Sequence, residues 1–177
     1  MDKKTGDWEI KGGLNIMGKC LVAYFSATGT TKRVAESIAK SMDAYLYEIE
    51  AIIPYSDADL NWNDKNSRCY KEWKNKSSQP QIALPVENMQ DYTVIFLGYP
   101  IWWEKAPNII ATFLESYDFS GKTIIPFSTS GGSIRGSIGL HLHKLCSKEC
   151  NWKNGKLFRM VPNKTEILRW AEKIAIH

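Results

Sequence analysis

An α/β domain of the doubly wound type, with a five-stranded parallel sheet covered by helices on both faces, is the fold class this sequence predicts. Short, nearly continuous apolar runs read as strands buried on both faces. They alternate with stretches of helical periodicity in the order βαβαβαβαβα, and each crossover helix must return the chain so that the next strand starts in the same direction. The length of 177 residues suits one such domain with a full core.

The first convincing core element begins at Lys19, so residues 1–18 are expected to form an N-terminal extension, with Met17 itself available as a start, and residues 19–177 a single domain. "CLVAYFS", Cys20 to Ser26, is the first strand. "TTKRVAESIAKSM" follows as an amphipathic helix, with Val34 and Ile38, and Ala35, Ala39 and Met42, at three- and four-residue spacings. "AYLYEIE", Ala44 to Glu50, is the second strand. The long polar, aromatic-spotted stretch that runs on to Pro85 reads as loop plus one helix, Asp64 to Lys74. On that helix Arg68 and Glu72 stand i,i+4, a pairing worth roughly 0.3 kcal/mol on a surface. "YTVIFLGYP", Tyr92 to Pro100, is the clearest strand, and a helix from Pro107 to Tyr117 follows with proline in its first turn. Thr123 to Ser128 is the fourth strand, and "SIRGSIGLHLHKLC" continues as a helix weakened by Gly136 and Gly139. "GKLFRMV" is the fifth strand, and "NKTEILRWAEKIA" a capped last helix with Ile167, Trp170 and Ile174 on one face.

Composition removes several classes of function. The N-terminus has early lysines but no continuous apolar run, so it does not read as a signal peptide, and a cytoplasmic location is expected. No stretch approaches the roughly 18 apolar residues of a membrane helix. The net charge of +4 is scattered, with no dense basic helix or aromatic-basic platform, which argues against nucleic acid as a partner. The cysteines Cys20, Cys69, Cys146 and Cys150 form no metal motif and are expected to be reduced thiols. Cys146 and Cys150 would share a helix face if the preceding helix reached them. His141 and His143, two apart, do not share a face and read as surface or satisfied histidines rather than ligands.

In a parallel sheet ligands sit at the carboxyl ends of the strands, where the strand order reverses. Three loops leave such ends with conspicuous chemistry: Ser26 to Thr31, Pro100 to Glu104 and Thr129 to Ser133. The first opens a helix, so its amides and the helix dipole favour an anion, to which Ser26, Thr28, Thr30 and Thr31 can add hydroxyls while Gly29 permits the turn. Read alone, it could also be a helix cap supplied by Thr30 or Thr31. A triphosphatase loop and a dinucleotide fingerprint both fail on glycine spacing. A cysteine phosphatase would need its nucleophile in the loop, and Cys20 lies at the other end of the strand. In the second loop Trp102 and Trp103 cannot both point into one core, which leaves at least one to cover a flat ring. The third loop offers hydroxyls and unobstructed amides, or is any tight turn. Together the three suit a mononucleotide-type flavin better than a dinucleotide or triphosphate. Lys32 and Arg33 fall outside the anion cradle.

At these residues the chain resembles the flavodoxin family, over essentially all of Lys19 to Ile176. "SATGTT" matches the family's Ser/Thr-x-Thr-Gly-x-Thr phosphate loop; "GYPIWW" resembles the tryptophan-bearing loop beside the isoalloxazine and "FSTSGGS" the third flavin loop. The match resembles most a bacterial subgroup that also has "PYSDADLNWNDKNSR" and a terminal helix bearing tryptophan. The resemblance implies a flavodoxin-like sheet of order 2-1-3-4-5 that binds FMN. Ser26, Thr28, Gly29, Thr30 and Thr31 would then hold the phosphate, Pro100, Ile101, Trp102 and Trp103 flank the ring, and Thr129, Ser130, Gly131 and Gly132 complete its other edge.

Relatives of this type often have glycine after the second tryptophan, where a peptide can flip toward the reduced flavin N5; here the residue is Glu104. Glutamate raises the cost of a positive φ, so the sequence predicts that this flip is disfavoured. The slightly basic chain also departs from the strongly acidic flavodoxins, which weakens charge steering toward basic partners. The expected function is electron transfer through FMN to redox protein partners, with no catalytic acid-base triad and no metal. The alternatives are an FMN-dependent NAD(P)H or quinone oxidoreductase, for which the Ile52 to Gln90 segment could wall a second pocket, and a flavodoxin-like interaction module that has lost its flavin.

Overall fold

The computed structural model describes residues 9–10, 14–15, 18–132, 139, 141–147 and 149–175. A two-stranded antiparallel pair, β1 (Glu9–Ile10) and β2 (Leu14–Asn15), precedes the main sheet. The main elements then follow as β3 (Lys19–Tyr24), α1 (Thr30–Met42), β4 (Tyr45–Glu48), α2 (Arg68–Lys74), β5 (Tyr92–Pro100), α3 (Asn108–Glu115), β6 (Thr123–Thr129), β7 (Asn151–Trp152), β8 (Lys156–Phe158) and α4 (Lys164–Ala175).

The sheet runs β4-β3-β5-β6, with β7 and β8 both pairing β6 on its outer side. Every pairing in it is parallel. Counted from β3, and taking β7 and β8 as two halves of one interrupted strand, the order is 2-1-3-4-5, as expected. The interruption at residues 153–155 was not legible, because the two residues Asn151 and Trp152 leave no period to detect.

The alternation of side chains along a strand divides the core in two. Leu21, Ala23, Ile95, Leu97, Tyr99 and Ile124 face one side, where they pack with Ile109, Ile110, Phe113 and Leu114 of α3. Val22, Tyr24, Phe96, Ile125 and Phe127 face the other and meet Val34 and Ile38 of α1 and Ile167, Trp170 and Ala171 of α4. Each fully buried Leu, Ile or Phe among them contributes about 2 kcal/mol relative to exposure. The periodicity that marked α1 and α4 is therefore that of helices lying on an apolar sheet, and Asn163 caps α4 by accepting from the Glu166 amide at 3.0 Å.

Three local expectations change. The helix expected from Asp64 begins at Arg68, because residues 61–67 form successive turns and Ser67 is the N-cap, its hydroxyl accepting from the Tyr70 amide. Pro107 is the N-cap of α3 rather than a first-turn residue. The helix expected over 133–146 falls partly on residues 133–138 and 140, outside those described; the described remainder is a turn and a 3-10 segment, His143–Leu145. Gly139 explains the difference: its φ is +78°, and a Cβ there would lie 3.0 Å from Trp152 and 3.1 Å from Pro126, so the chain bends against β6 and β7 where a helix would continue straight. Cys146 and Cys150 therefore share no α-helical face, yet the neighbouring Cys150 thiol, with burial, raises the Cys146 pKa and holds its proton on. Among the described residues no helix is long and apolar enough to cross a membrane.

Candidate functional site

β3 ends at Tyr24, although Phe25 still donates its amide to the Gly98 carbonyl at 2.9 Å. The chain then turns through residues 26–29 into α1. The N-cap of that helix is Gly29, in the left-handed region at φ 80°, and no side chain caps it. Neither Thr30 nor Thr31 is the cap, so the first amides of α1 have no intrahelical acceptor and no side-chain one either. A left-handed residue followed by right-handed ones is also the backbone sequence that turns successive amides toward one point. A Cβ built on Gly29 would meet nothing within 4 Å. Ser26 Oγ is shielded from water and has no partner, an unused donor at the base of the loop. Lys32 binds Glu48 at 2.9 Å, and Tyr24 donates to the same carboxylate at 2.8 Å. That cation is thus committed elsewhere, and the loop offers an anion neutral donors.

Thr129 joins the three loops. Its hydroxyl shares a buried 2.8 Å hydrogen bond with Thr31 of the first loop, and its carbonyl accepts the Ile101 amide of the second at 2.9 Å. The pairing of Pro100 with Thr129 sets that register. Thr31 spends one hydrogen bond of its hydroxyl on Thr129, while Thr28 and Thr30 are exposed. Beyond Thr129, Gly132 donates to Ser130 Oγ at 3.3 Å, and Cβ atoms on Gly131 and Gly132 would meet nothing within 4 Å. Ser133 lies outside the described residues.

In the second loop Trp102 and Lys105 exchange both backbone hydrogen bonds, 2.8 and 3.0 Å, around a two-residue turn made of Trp103 and Glu104. Both turn residues have positive φ, 43° and 67°. Glu104 thus adopts the positive φ that the sequence marks as costly for glutamate, and the paired backbone bonds of Trp102 and Lys105 hold it there. The two indoles part company. Trp102 packs edge-on against Phe25 and Tyr55, at 5.7 Å from each. Trp103 stacks on Trp73 of α2 at 5.0 Å and meets Tyr70 edge-on.

Sequence reasoning did not foresee the residues behind this turn. Tyr55 donates to Glu72 at 2.7 Å, Arg68 Nε donates to the same carboxylate at 2.7 Å, and the Arg68 guanidinium lies 3.9 Å above the Tyr55 ring. The i,i+4 pair was legible, but Glu72 is only 7% exposed, so the pair belongs to an interior network rather than a surface. Burial, and then the bond to Glu72, pushes the Tyr55 phenol well above its ordinary pKa. The signal available beforehand was the aromatic spacing of Tyr55, Tyr70 and Trp73 in a segment otherwise polar.

A cavity of about 900 Å³ opens on the side of the turn that faces α2, α3 and residues 141–145. Trp102 and Trp103 line it, whereas residues 26–31 and 129–132 do not. His141 lines it too, its pKa held below the ordinary value by desolvation and then by the neighbouring Lys105. His143 instead stacks on Trp152.

A parallel, doubly wound sheet whose strand order reverses beside an uncapped helix start defines the class of α/β domains that take ligands at the carboxyl edge of the sheet. Within that class the chain belongs to the flavodoxin family, whose sequence profile matches residues 19–174. A candidate flavoprotein from Bacteroides eggerthii is 44% identical, with a TM-score of 0.84, over 90% of this chain and 99% of that one. A second, from Bacteroides uniformis, is 42% identical with a TM-score of 0.81, over 88% and 98%. A Lactobacillus acidophilus flavoprotein, solved in complex with FMN, is 24% identical with a TM-score of 0.65, over 87% and 99%, and shares the fold. No curated protein matches the chain.

Proposed function

We propose that this protein binds FMN non-covalently and passes electrons through it to a redox protein partner in the cytoplasm. The observation that carries the reading is the joining of three loops through Thr129 around an uncapped helix start with a buried, unpartnered Ser26 hydroxyl. The amides of residues 30 and 31, with Ser26 and Thr28, hold the phosphate; Pro100 to Trp103 flank the ring; Thr129 to Gly132 meet its other edge. Bound FMN supplies the electron transfer itself. The chain supplies binding and orientation, and its neutral donors leave the phosphate charge in place. The aromatic turn keeps water from one side of the ring, so a further negative charge there is costly, and Glu104 adds to that cost if it faces the ring.

The visible spectrum of the purified protein tests the reading, with the released flavin identified. A colourless protein that takes up no FMN on soaking removes it and leaves an interaction module. The cavity beside the tryptophan turn favours a second reading, an FMN-dependent NAD(P)H or quinone oxidoreductase, because it gives a small substrate somewhere to sit. Steady NADH oxidation with a quinone as acceptor selects that reading over transfer between proteins.

A further inference from the structure

Basic residues occur along the whole chain, but their imbalance does not. In residues 151–177 Lys153, Lys156, Arg159, Lys164, Arg169 and Lys173 stand against Glu166 and Glu172 alone, so this stretch holds the whole net charge of +4. Part of the excess gathers at the carboxyl edge of the sheet. β8 ends with Phe158 paired to Thr129, which places the strap Arg159 to Pro162 beside the third loop. The strap is fixed at both ends. Phe158 is buried against Phe127 and Trp170, and the Pro162 carbonyl accepts the Ser37 hydroxyl of α1 at 2.7 Å. Between these anchors Met160, the most exposed large apolar side chain among the described residues at 81%, and Val161 at 50% are left in water.

Three cations flank that apolar pair. Arg159 precedes it, Lys164 opens α4 just after it, and Arg33 lies one turn from Ser37 on the same face of α1, toward the same sheet edge. All three are exposed and form no ion pair among the described residues. Of the carboxylates on these elements, Glu166 is engaged by Lys156 at 2.9 Å, and Glu36 is the exposed one beside Arg33. We propose that the strap, with Arg33 and Lys164, is the docking surface for a protein partner whose small apolar patch is rimmed by carboxylates. The charge excess steers such a partner to this end of the molecule, and Met160 and Val161 supply a short-range contact that salt does not screen. That the partner exchanges electrons rests on the flavin reading, since the strap adjoins Thr129 to Gly132; the contact itself does not.

Titration of the isotope-labelled protein with two forms of cytochrome c tests the contact, read from amide shifts and line broadening. The native form is basic, and succinylation turns its lysines into carboxylates. At about 10 mM salt the succinylated form is expected to perturb amides within 159–164 and the first turns of α1, binding about 5-fold or more tighter than the native form. About 200 mM salt should remove most of that margin. Arg159→Gln combined with Lys164→Gln should cut the affinity for the succinylated form about 3-fold or more, and Lys173→Gln, about 13 Å further along α4, should cut it less. Met160→Ser should weaken binding at both salt concentrations. These positions are exposed, and unchanged urea midpoints check that the variants fold. Equal or tighter binding of the native form, perturbation confined to other surfaces, or no binding of either form overturns the proposal. With FMN bound and reduced by dithionite, two ferric haems take one electron each per reduced flavin, and the succinylated form should be reduced about 5-fold faster at low salt. FMN uptake with equal rates for the two forms overturns the docking surface and leaves the flavin reading intact. No FMN uptake with the amide pattern present leaves the surface standing and the flavin reading fallen.

Discussion

Two loops at the same sheet edge are built on opposite principles. The first, residues 26–31, makes its turn with Gly29, for which φ 80° carries no steric penalty, and is fixed by a single buried hydroxyl bond from Thr31. The second makes its turn with Trp103 and Glu104, both left-handed, at a cost of order 1 kcal/mol each. It is held by two backbone bonds, four aromatic contacts and the Arg68, Tyr55 and Glu72 network behind it. The difference teaches where each loop gets its precision: the first from local backbone chemistry, the second from tertiary packing that overrides local preference.

The comparison breaks most visibly at Glu72. Glu72→Ala removes the acceptor of both Tyr55 and Arg68, and is expected to cost about 2 to 3 kcal/mol, below the range for a fully buried pair because Arg68 keeps some access to water. Urea unfolding measures it, and tryptophan emission should shift as Trp102 and Trp103 lose their support. A loss under half a kcal/mol would mean that the turn does not depend on the network. Gly29→Val comes next: a β-branched residue forced to positive φ should cost about 2 kcal/mol. Because its Cβ meets no atom, the loss is one of backbone strain, and the FMN-holding capacity of the loop should fall with it. Thr31→Val leaves the Thr129 hydroxyl buried without its partner, for about 1 to 2 kcal/mol.

Alkaline pH loads both loops through buried phenols, and Tyr55 is the one behind the second. Tyr55 has its phenol pKa raised by burial and by Glu72, so the folded protein keeps that proton longer than the unfolded chain does. The unfolded chain ionises first, near pH 10, and the stability held in the neutral phenol is present below that pH and lost as pH rises beyond it. Tyr47, pushed up to about 12 chiefly by burial, adds to the same loss between roughly pH 10 and 12. Loop one contains no titratable side chain. Tyr24, packed on α1, has its phenol pKa raised in the same direction by burial and by Glu48, so Tyr55→Phe makes the distinction: hydrogen exchange at Trp102 to Lys105 should lose its alkaline sensitivity in that variant while α1 keeps its own, and an unchanged profile at Trp102 to Lys105 would contradict the assignment.

The same contrast governs how much could be read from the sequence. The strand at Tyr92 to Pro100 and the helix at Thr30 to Met42 were legible to the residue, because a doubly buried strand and an amphipathic helix advertise their periods locally. The first loop was legible as a turn between a strand and a helix, marked by its hydroxyls and Gly29. The split of the fifth strand was not, because two residues of pairing leave no period to detect. Nor was the buttress of the tryptophan turn: Tyr55 and Glu72 are 17 residues apart, and nothing local to either says that they meet. Within the helix expected over 133–146, the described residues 139 and 141–146 form no α-helix for a tertiary reason, the left-handed Gly139 pressed between Pro126 and Trp152.

Glu104 supplies the smallest effect and the sharpest one, because its sign is opposite to that at Gly29. If the second loop stores strain that packing overcomes, Glu104→Gly releases it, and the gain from relieving a left-handed side chain exceeds the entropy the glycine adds to the unfolded chain. A net stabilisation of about 0.5 kcal/mol is expected, a rise of roughly 1 to 2 °C in melting temperature for a domain of this size. Glu104→Ala, which keeps the Cβ, should give none of it. A glycine variant less stable than the parent would show that the turn is relaxed as it stands, and that the glutamate side chain contributes contacts outweighing its conformation. Stabilisation by both variants would place the effect on the carboxylate rather than the backbone. Only the glycine-specific gain agrees with a turn held against its own preference, and Gly29→Val fails in the first loop for the same physical reason, run in reverse.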